Sequence, residues 1–251
     1  MSLYPILQGA EPIFLSGNSI GILICHGFNG TPQSMKYLGT RFAEQGFTVS
    51  VPRLRGHGTD VLDMEKASYK DWIADLLTAY EELKKTCSEV YILGQSMGGA
   101  LALEIASKTA CDGIMTINAA LQVPEYEKYK GSLTPRFLSE GEPDIHNKEA
   151  EELTYDQVPL KAVRELLKLM ERVKGKLSQV NCPVLVLYSP EDHVVPASCS
   201  LELYDSVSSK EKALIKLDRS YHVASLDFDQ DKIVDEAARF IVQVSKELRV
   251  S

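Results

Sequence analysis

Apolar residues in this chain gather in short unbroken runs, separated by longer stretches in which they recur every third or fourth position. The runs PIFLS (12–16), IGILICHG (20–27), FTVSVP (47–52) and VYILG (90–94) read as strands. So do GIMTINA (113–119), PVLVLYS (183–189) and ALIKLD (213–218). Near-continuous apolar runs suit strands covered on both faces, as in a parallel sheet with helices on either side. The intervening stretches at 32–45, 68–86, 98–109, 197–207 and 229–248 read as those helices. In DWIADLLTAYEELKKT, for example, Trp72, Ile73, Leu76, Leu77, Tyr80 and Leu83 fall on one helical face. Strand and helix alternating along the chain predict an α/β fold with a mostly parallel sheet of about seven strands.

The alternation breaks between about Leu121 and Gln179, where no buried-strand pattern occurs. A polar, proline-containing stretch leads into a helix whose Val163, Leu166, Leu167, Met170, Val173 and Leu177 share a face. The segment reads as a small cap inserted between two core strands of a single domain spanning 1–251. Its helix suits plain packing as well as it suits a substrate role.

Composition narrows the chemistry. The 251 residues are 44% apolar and 25% charged, ordinary for a packed domain. Lys and Arg total 27 against 35 Asp and Glu, a net charge of −8, which argues against nucleic acid and anionic polymers and favours uncharged substrates. The cysteines (Cys25, Cys87, Cys111, Cys182, Cys199) are widely and irregularly spaced and include no C-x-x-C pair, so neither a zinc site nor a disulfide framework is expected. Free thiols, an N-terminal stretch unlike a signal peptide and the lack of a long apolar span make a cytoplasmic protein the expectation.

The most specific local signal is VYILGQSMGGALALEIA, where a strand runs through G-x-S-x-G directly into a helix. Serine is a weak nucleophile near neutral pH and needs a base, an orienting acid and an oxyanion hole. Small residues at Gly94 and Gly98 let a strained turn project Ser96 beyond its strand, and the helix N-terminus faces developing negative charge. In that arrangement the oxyanion is held by the N–H after the nucleophile and by one from an earlier strand-end loop. Here ILICHGFNGTPQS supplies the loop, so the two donors are Met97 and Phe28. His26 competes as a base but precedes the serine, and a structural role within its loop suits it better.

The acid and the histidine should follow the serine, in that order, at later strand ends. CPVLVLYSPEDHVVP (182–196) provides Asp192, with Glu191 as the alternative, and ALIKLDRSYHVASLD (213–227) provides His222. Asp192 would fix the histidine tautomer and His222 would take the serine proton. His193 reads as a loop residue, His57 as a brace at the site's rim, His146 as a solvent-facing cap residue and Cys25 as a buried filler.

Together, HGFNGTPQSM, PRLRGHGT, GQSMGG, INAA, CPVLVLYSPEDHVVP and SYHVA through LDFDQ resemble the small bacterial carboxylesterases and monoacylglycerol lipases of the α/β-hydrolase fold. The resemblance spans nearly the whole chain and is weakest in the cap; the loop is HGFNG rather than HGGG. It implies hydrolysis of short- to medium-chain acyl esters through an acyl-serine intermediate, with no cofactor. It also implies a cap carboxylate approaching the glycerol hydroxyls of monoacylglycerols, matched here by Glu152. Glu149 and Glu151 compete for that role, and a solvated acidic face is the plain alternative. The acyl chain would lie under Leu121, Phe137 and Leu138, with Val194 and Val195. A thioesterase or aminopeptidase-like enzyme would carry the same residues, as would a non-catalytic protein binding a hydrophobic ligand. Dehalogenase-like members place Asp at the elbow, where this chain has Ser96. Oligomeric state is left open.

Overall fold

The computed structural model describes residues 4–246 and 248. Its main sheet has seven strands: β1 (Ile13–Leu15), β2 (Ile20–Cys25), β3 (Thr48–Val51), β4 (Glu89–Gln95), β5 (Gly113–Ile117), β8 (Val184–Tyr188) and β9 (Lys212–Lys216). They lie in the order β1-β3-β2-β4-β5-β8-β9. Only β1 runs antiparallel to its neighbour; the other neighbouring pairs are parallel. The central strands β2, β4 and β5 are buried throughout, whereas the edge strands β1 and β9 are partly open to solvent, having a neighbour on one side only.

Successive side chains on a strand point to opposite faces, and the core accordingly divides in two. On β4, Tyr91 and Leu93 join the cluster under α1 (Pro32–Glu44) and α8 (Gln230–Val244). Val90 and Ile92 join the cluster under α3 (Tyr69–Lys84), α4 (Met97–Ala106) and α7 (Ala197–Ser206). Two helix starts are capped by side chains. Thr31 Oγ1 accepts from Gln33 N at 3.3 Å ahead of Pro32, and Ser68 N donates to Asp71 Oδ2 at 2.9 Å.

The segment between β5 and β8 holds α5 (Pro124–Glu127), β6 (Phe137–Ser139), β7 (Gln157–Pro159), α6 (Leu160–Lys174) and a 3-10 turn at Leu177–Gln179. Strands β6 and β7 form a separate antiparallel pair, which the sequence pattern does not announce because each is three residues long, too short to display alternation. The single turns α2 (Val61–Met64) and α5 escape for the same reason. The face of α6 is as expected up to Val173, but the helix ends at Lys174 and Leu177 is buried from the 3-10 turn instead. Helix α6 is tied to α4 by an ion pair. Glu104, fully buried on α4, accepts from Arg172 Nε at 2.8 Å and Lys176 Nζ at 3.2 Å.

Most other elements stop a residue or two short of their expected ends, because the chain leaves the ladder to build loops. Helix α8 stops at Val244, where Ser245 turns extended (ψ 132°); of its expected last turn, residue 247 lies outside the described residues. Among the described residues no helix is long and apolar enough to cross a membrane.

Candidate active site

The carboxyl ends of parallel strands are where an open α/β sheet builds its sites. Here β2 delivers Phe28, β4 Ser96, β5 Asn118, β8 Asp192 and β9 His222 to that one edge.

Ser96 links β4 to α4 with φ 54° and ψ −118°, a conformation that costs an L-residue about 1–3 kcal/mol. The surrounding backbone holds it there: Ser96 N donates to Ile117 O at 2.9 Å, and Ser96 O accepts from Ala120 N at 3.0 Å. The flanking glycines are steric necessities. A Cβ on Gly94 would lie 2.2 Å from Gly98 O, and one on Gly98 would lie 2.3 Å from Cys25 O. Gly98→Ala is therefore expected to destabilise the fold by about 3 kcal/mol, since the obstacle is backbone. An unchanged urea midpoint would contradict this.

Ser96 Oγ lies 2.9 Å from His222 Nε2, and His222 Nδ1 lies 2.7 Å from Asp192 Oδ2. The other Asp192 oxygen accepts from Val194 N at 2.8 Å and Val195 N at 2.7 Å, which aims the carboxylate at the ring. The Asp192 side chain is 1% exposed, whereas Glu191 points to solvent. Burial alone would lower the His222 pKa, but the Asp192 charge and hydrogen bond, with Asp144 and Glu152 nearby, raise it above the usual histidine value. Such a chain is able to take a proton from a serine hydroxyl and hold the resulting imidazolium.

Met97 is the first residue of α4, so its N–H has no intrahelical acceptor. Phe28 follows Gly27 in the β2 loop, and a Cβ on Gly27 would lie 3.4 Å from Ser96 Cβ. The loop is pinned from behind. His26 is fully buried, with Nδ1 3.0 Å from Gly27 O and Nε2 accepting from Leu54 N at 3.3 Å. Burial lowers its pKa to about 4, so it stays neutral. His57 is likewise buried, packed edge-on against Phe28 and Trp72 rather than lying at the rim. Cys25 is buried, and desolvation pushes its thiol pKa up, away from thiolate chemistry.

A cavity of about 360 Å³ opens over Ser96 and His222. Phe28, Val123, Tyr126, Leu138, Leu166 and Val194 form much of its apolar wall. Of the pocket residues expected from sequence, Leu138 and Glu152 line it, together with Val194. Leu121, Phe137 and Val195 do not. Leu121 and Val195 face inward to the core, at 2% and 1% exposure, and Phe137 stacks under Arg136. Apolar character placed these residues near the site, but which side of the chain faces the cavity is settled by packing.

Glu152 reaches the cavity because its backbone is clamped on either side. Gln33 Nε2 donates to Glu151 O at 2.8 Å, and Leu153 N donates to Gln33 Oε1 at 3.1 Å. Asn29 and Tyr155 exchange a second such pair, at 2.9 and 3.1 Å. Glu149 and Glu151 are solvent-exposed. Burial raises the Glu152 pKa to about 7, against the lowering effects of His222 and the Ser34 hydroxyl.

Asn118, Asp227 and Asp144 do not stand out in the sequence. Asn118, at φ 47°, donates to His222 O at 2.9 Å and accepts from Ser189 N at 2.7 Å, joining the β8 and β9 loops. Asp227 accepts from Tyr221 N at 2.9 Å and His146 N at 2.7 Å. The only signals for two of them were the INAA and LDFDQ stretches, which carry no visible chemistry of their own. His146 is exposed and stacks on Tyr221 at 4.7 Å. His193 is exposed and paired with Asp144.

Residues 18–229 match the family model described as serine aminopeptidase, S33. The chain is 40% identical over 244 residues to a thermostable monoacylglycerol lipase of Bacillus sp. (strain H-257), covering 96% of this chain and 97% of that one. It is 24% identical over 238 residues to a carboxylesterase of Bacillus subtilis (strain 168), covering 92% and 96%. Among solved structures, one from the description of LipS and LipT, two metagenome-derived lipolytic enzymes, superposes with TM-score 0.92. It is 38% identical and the match covers 95% of this chain and 100% of that one.

Proposed function

The chain belongs to the serine aminopeptidase S33 family and has the α/β-hydrolase fold, and on that premise we propose that it is a serine carboxylic-ester hydrolase whose substrates include monoacylglycerols. The observation that carries this reading is the hydrogen-bonded chain Ser96–His222–Asp192, whose Ser96 and His222 line a cavity with an apolar wall on one part and polar side chains on the rest. The names borne by relatives of similar length favour an ester over an amide substrate. The chain acts as one domain, 1–251, with 121–179 as its cap.

In this reading Ser96 Oγ attacks the ester carbonyl as its proton passes to His222 Nε2. The oxyanion of the tetrahedral intermediate is held by the Phe28 and Met97 N–H groups. The C–O bond to the alcohol then breaks, His222 returns its proton to the leaving oxygen, and an acyl-serine remains. Water, deprotonated by His222, attacks that acyl group; collapse releases the carboxylic acid and restores Ser96. The acyl chain lies against Leu138, Val123, Leu166 and Val194. His222 must be neutral to act as base, so kcat/KM falls as pH drops through its raised pKa.

Glu152 is the acceptor for the glycerol hydroxyls. Charged acceptors of this kind are worth about 1.5–3 kcal/mol, so Glu152→Gln raises KM for 1-monoacylglycerols about tenfold or more while leaving p-nitrophenyl esters nearly unchanged. A carboxyl with pKa about 7 is neutral below and charged above that value. The monoacylglycerol-to-nitrophenyl rate ratio therefore rises from pH 6 to pH 8, and taking the ratio cancels the His222 titration. A flat ratio would remove Glu152 from alcohol recognition.

The test of the reading is initial rates on p-nitrophenyl esters of two to sixteen carbons beside 1-monoacylglycerols of matched length. Turnover of both classes supports it. Folded protein that turns over no ester at any length overturns it, and turnover confined to nitrophenyl esters leaves a carboxylesterase without the monoacylglycerol activity.

A further inference from the structure

Asp144, in the inserted segment just after β6, is a half-buried carboxylate with no place in the scheme above. Its Oδ2 accepts from His193 N at 3.0 Å and from His222 N at 3.1 Å. Its Oδ1 lies 2.8 Å from His193 Nδ1, and its own carbonyl accepts from Val223 N at 3.1 Å. A single oxygen thus bridges the residue following Asp192 and the backbone of His222 itself. These two loops leave different strands, and the Nδ1–Oδ2 bond between His222 and Asp192 depends on their relative position.

We propose that Asp144 is a positioning residue for the reaction: the inserted segment supplies a carboxylate that holds the acid loop and the base loop in register. The proposal rests on the ester-hydrolase reading of the site. The neighbouring segment supports the same connection, since His146 N and Asn147 N both donate to Asp227, which also accepts from Tyr221 N beside His222. The insertion is therefore bolted to the histidine loop at Asp144 and again at 146–147. Hydrogen bonds to a charged acceptor are the stronger kind, and the His193 and His222 backbone N–H groups would lose their shared acceptor together if Asp144 were removed.

The charged groups facing His222 are Asp192 from the β8 loop and Asp144 and Glu152 from the insertion. His193 meets the other Asp144 oxygen through its ring, Nδ1 to Oδ1 at 2.8 Å. Two substitutions separate charge from shape. Asp144→Asn keeps an acceptor oxygen for the two N–H groups and removes the charge. Asp144→Ala removes both.

The His222 ring is followed by NMR across pH, which needs no turnover and is tractable with 5 histidines. In parallel, kcat and KM are measured on p-nitrophenyl butyrate, and folding is followed by thermal melting. Asp144→Ala is expected to lower kcat about ten- to a hundredfold with KM little changed, and to move the His222 titration to lower pH. Asp144→Asn is expected to move the titration in the same direction with a smaller loss of kcat.

The proposal is overturned if both folded variants keep the wild-type His222 titration and kcat. It is also overturned if activity is lost only in proportion to unfolding, with the titration unmoved, because that is the signature of a purely structural contact. Wild-type protein that turns over no ester while its His222 titration still responds to Asp144→Asn would sink the ester-hydrolase reading instead, leaving the Asp144–His222 coupling standing.

Discussion

Ser96→Ala is expected to remove ester hydrolysis by about five to six orders of magnitude in kcat, the scale seen when a serine nucleophile is deleted from a comparable triad. The fold should survive intact. Alanine keeps the Cβ that the φ of 54° already accommodates, and the hydrogen bonds that hold the elbow run through the Ser96 backbone rather than its hydroxyl. The matching readout is covalent labelling by a serine-directed phosphonate. The wild type should gain one adduct, mapped to Ser96, and the variant none, with superimposable melting curves. Labelling that persists in Ser96→Ala would place the nucleophile elsewhere and end the mechanism proposed for this site. Loss of activity with a collapsed melting curve would not satisfy the prediction, because the expectation is chemical and not structural.

Asp192→Asn is expected to cost about four orders of magnitude in kcat while leaving the site's geometry in place. Asp192 does two things through its two oxygens. Oδ1 accepts from the Val194 and Val195 N–H groups, and Oδ2 faces His222 Nδ1. An asparagine satisfies the first duty by turning its carbonyl oxygen toward those N–H groups, which directs its NH₂ at the ring. The imidazole must then accept at Nδ1 and carry its proton on Nε2, the atom that lies 2.9 Å from Ser96 Oγ. A protonated Nε2 is unable to take the serine proton.

The pH dependence has a definite sign. Removing the negative charge that raises the His222 pKa makes the ring titrate at lower pH, so the acid limb of whatever activity remains moves down. Wild-type rates in Asp192→Asn would show that the carboxylate neither orients nor stabilises the ring, and would reopen Glu191. Phosphonate labelling distinguishes this variant from the first: Ser96 is still present, so the adduct forms, but slowly.

Much of this site is legible along the chain because its central parts are local. A strand running into a helix through Gly94, Ser96 and Gly98 encodes the elbow in a few residues. The backbone contacts a Cβ would make at Gly94 and Gly98 explain why no larger residue is accommodated there. Apolar runs of uniform character identify β2, β4 and β5 as central strands, since both faces of each are covered. Asp192 and His222 follow from their positions after the last two strands. Glu152 was separable from Glu149 and Glu151 only by resemblance, and in the fold the clamps made by Gln33 and Asn29 are what turn it inward.

What the sequence by itself determined, then, is whatever depends on periodicity or on a strained turn: the types of the longer elements, the sheet's buried strands, and the chain order of the proposed serine, acid and histidine. Only the tertiary structure decided which residues form the cavity wall and which tie the loops together. Leu138 lines the cavity and Phe137, its neighbour, does not, because adjacent strand residues face opposite ways and the short β6–β7 pair sets which one turns inward. Asp144 meets His193 and His222 across sequence separations of 49 and 78 residues. A local pattern extends over a few residues, whereas these partners are chosen by how separate loops pack at one edge of the sheet. No spacing rule along the chain carries that choice.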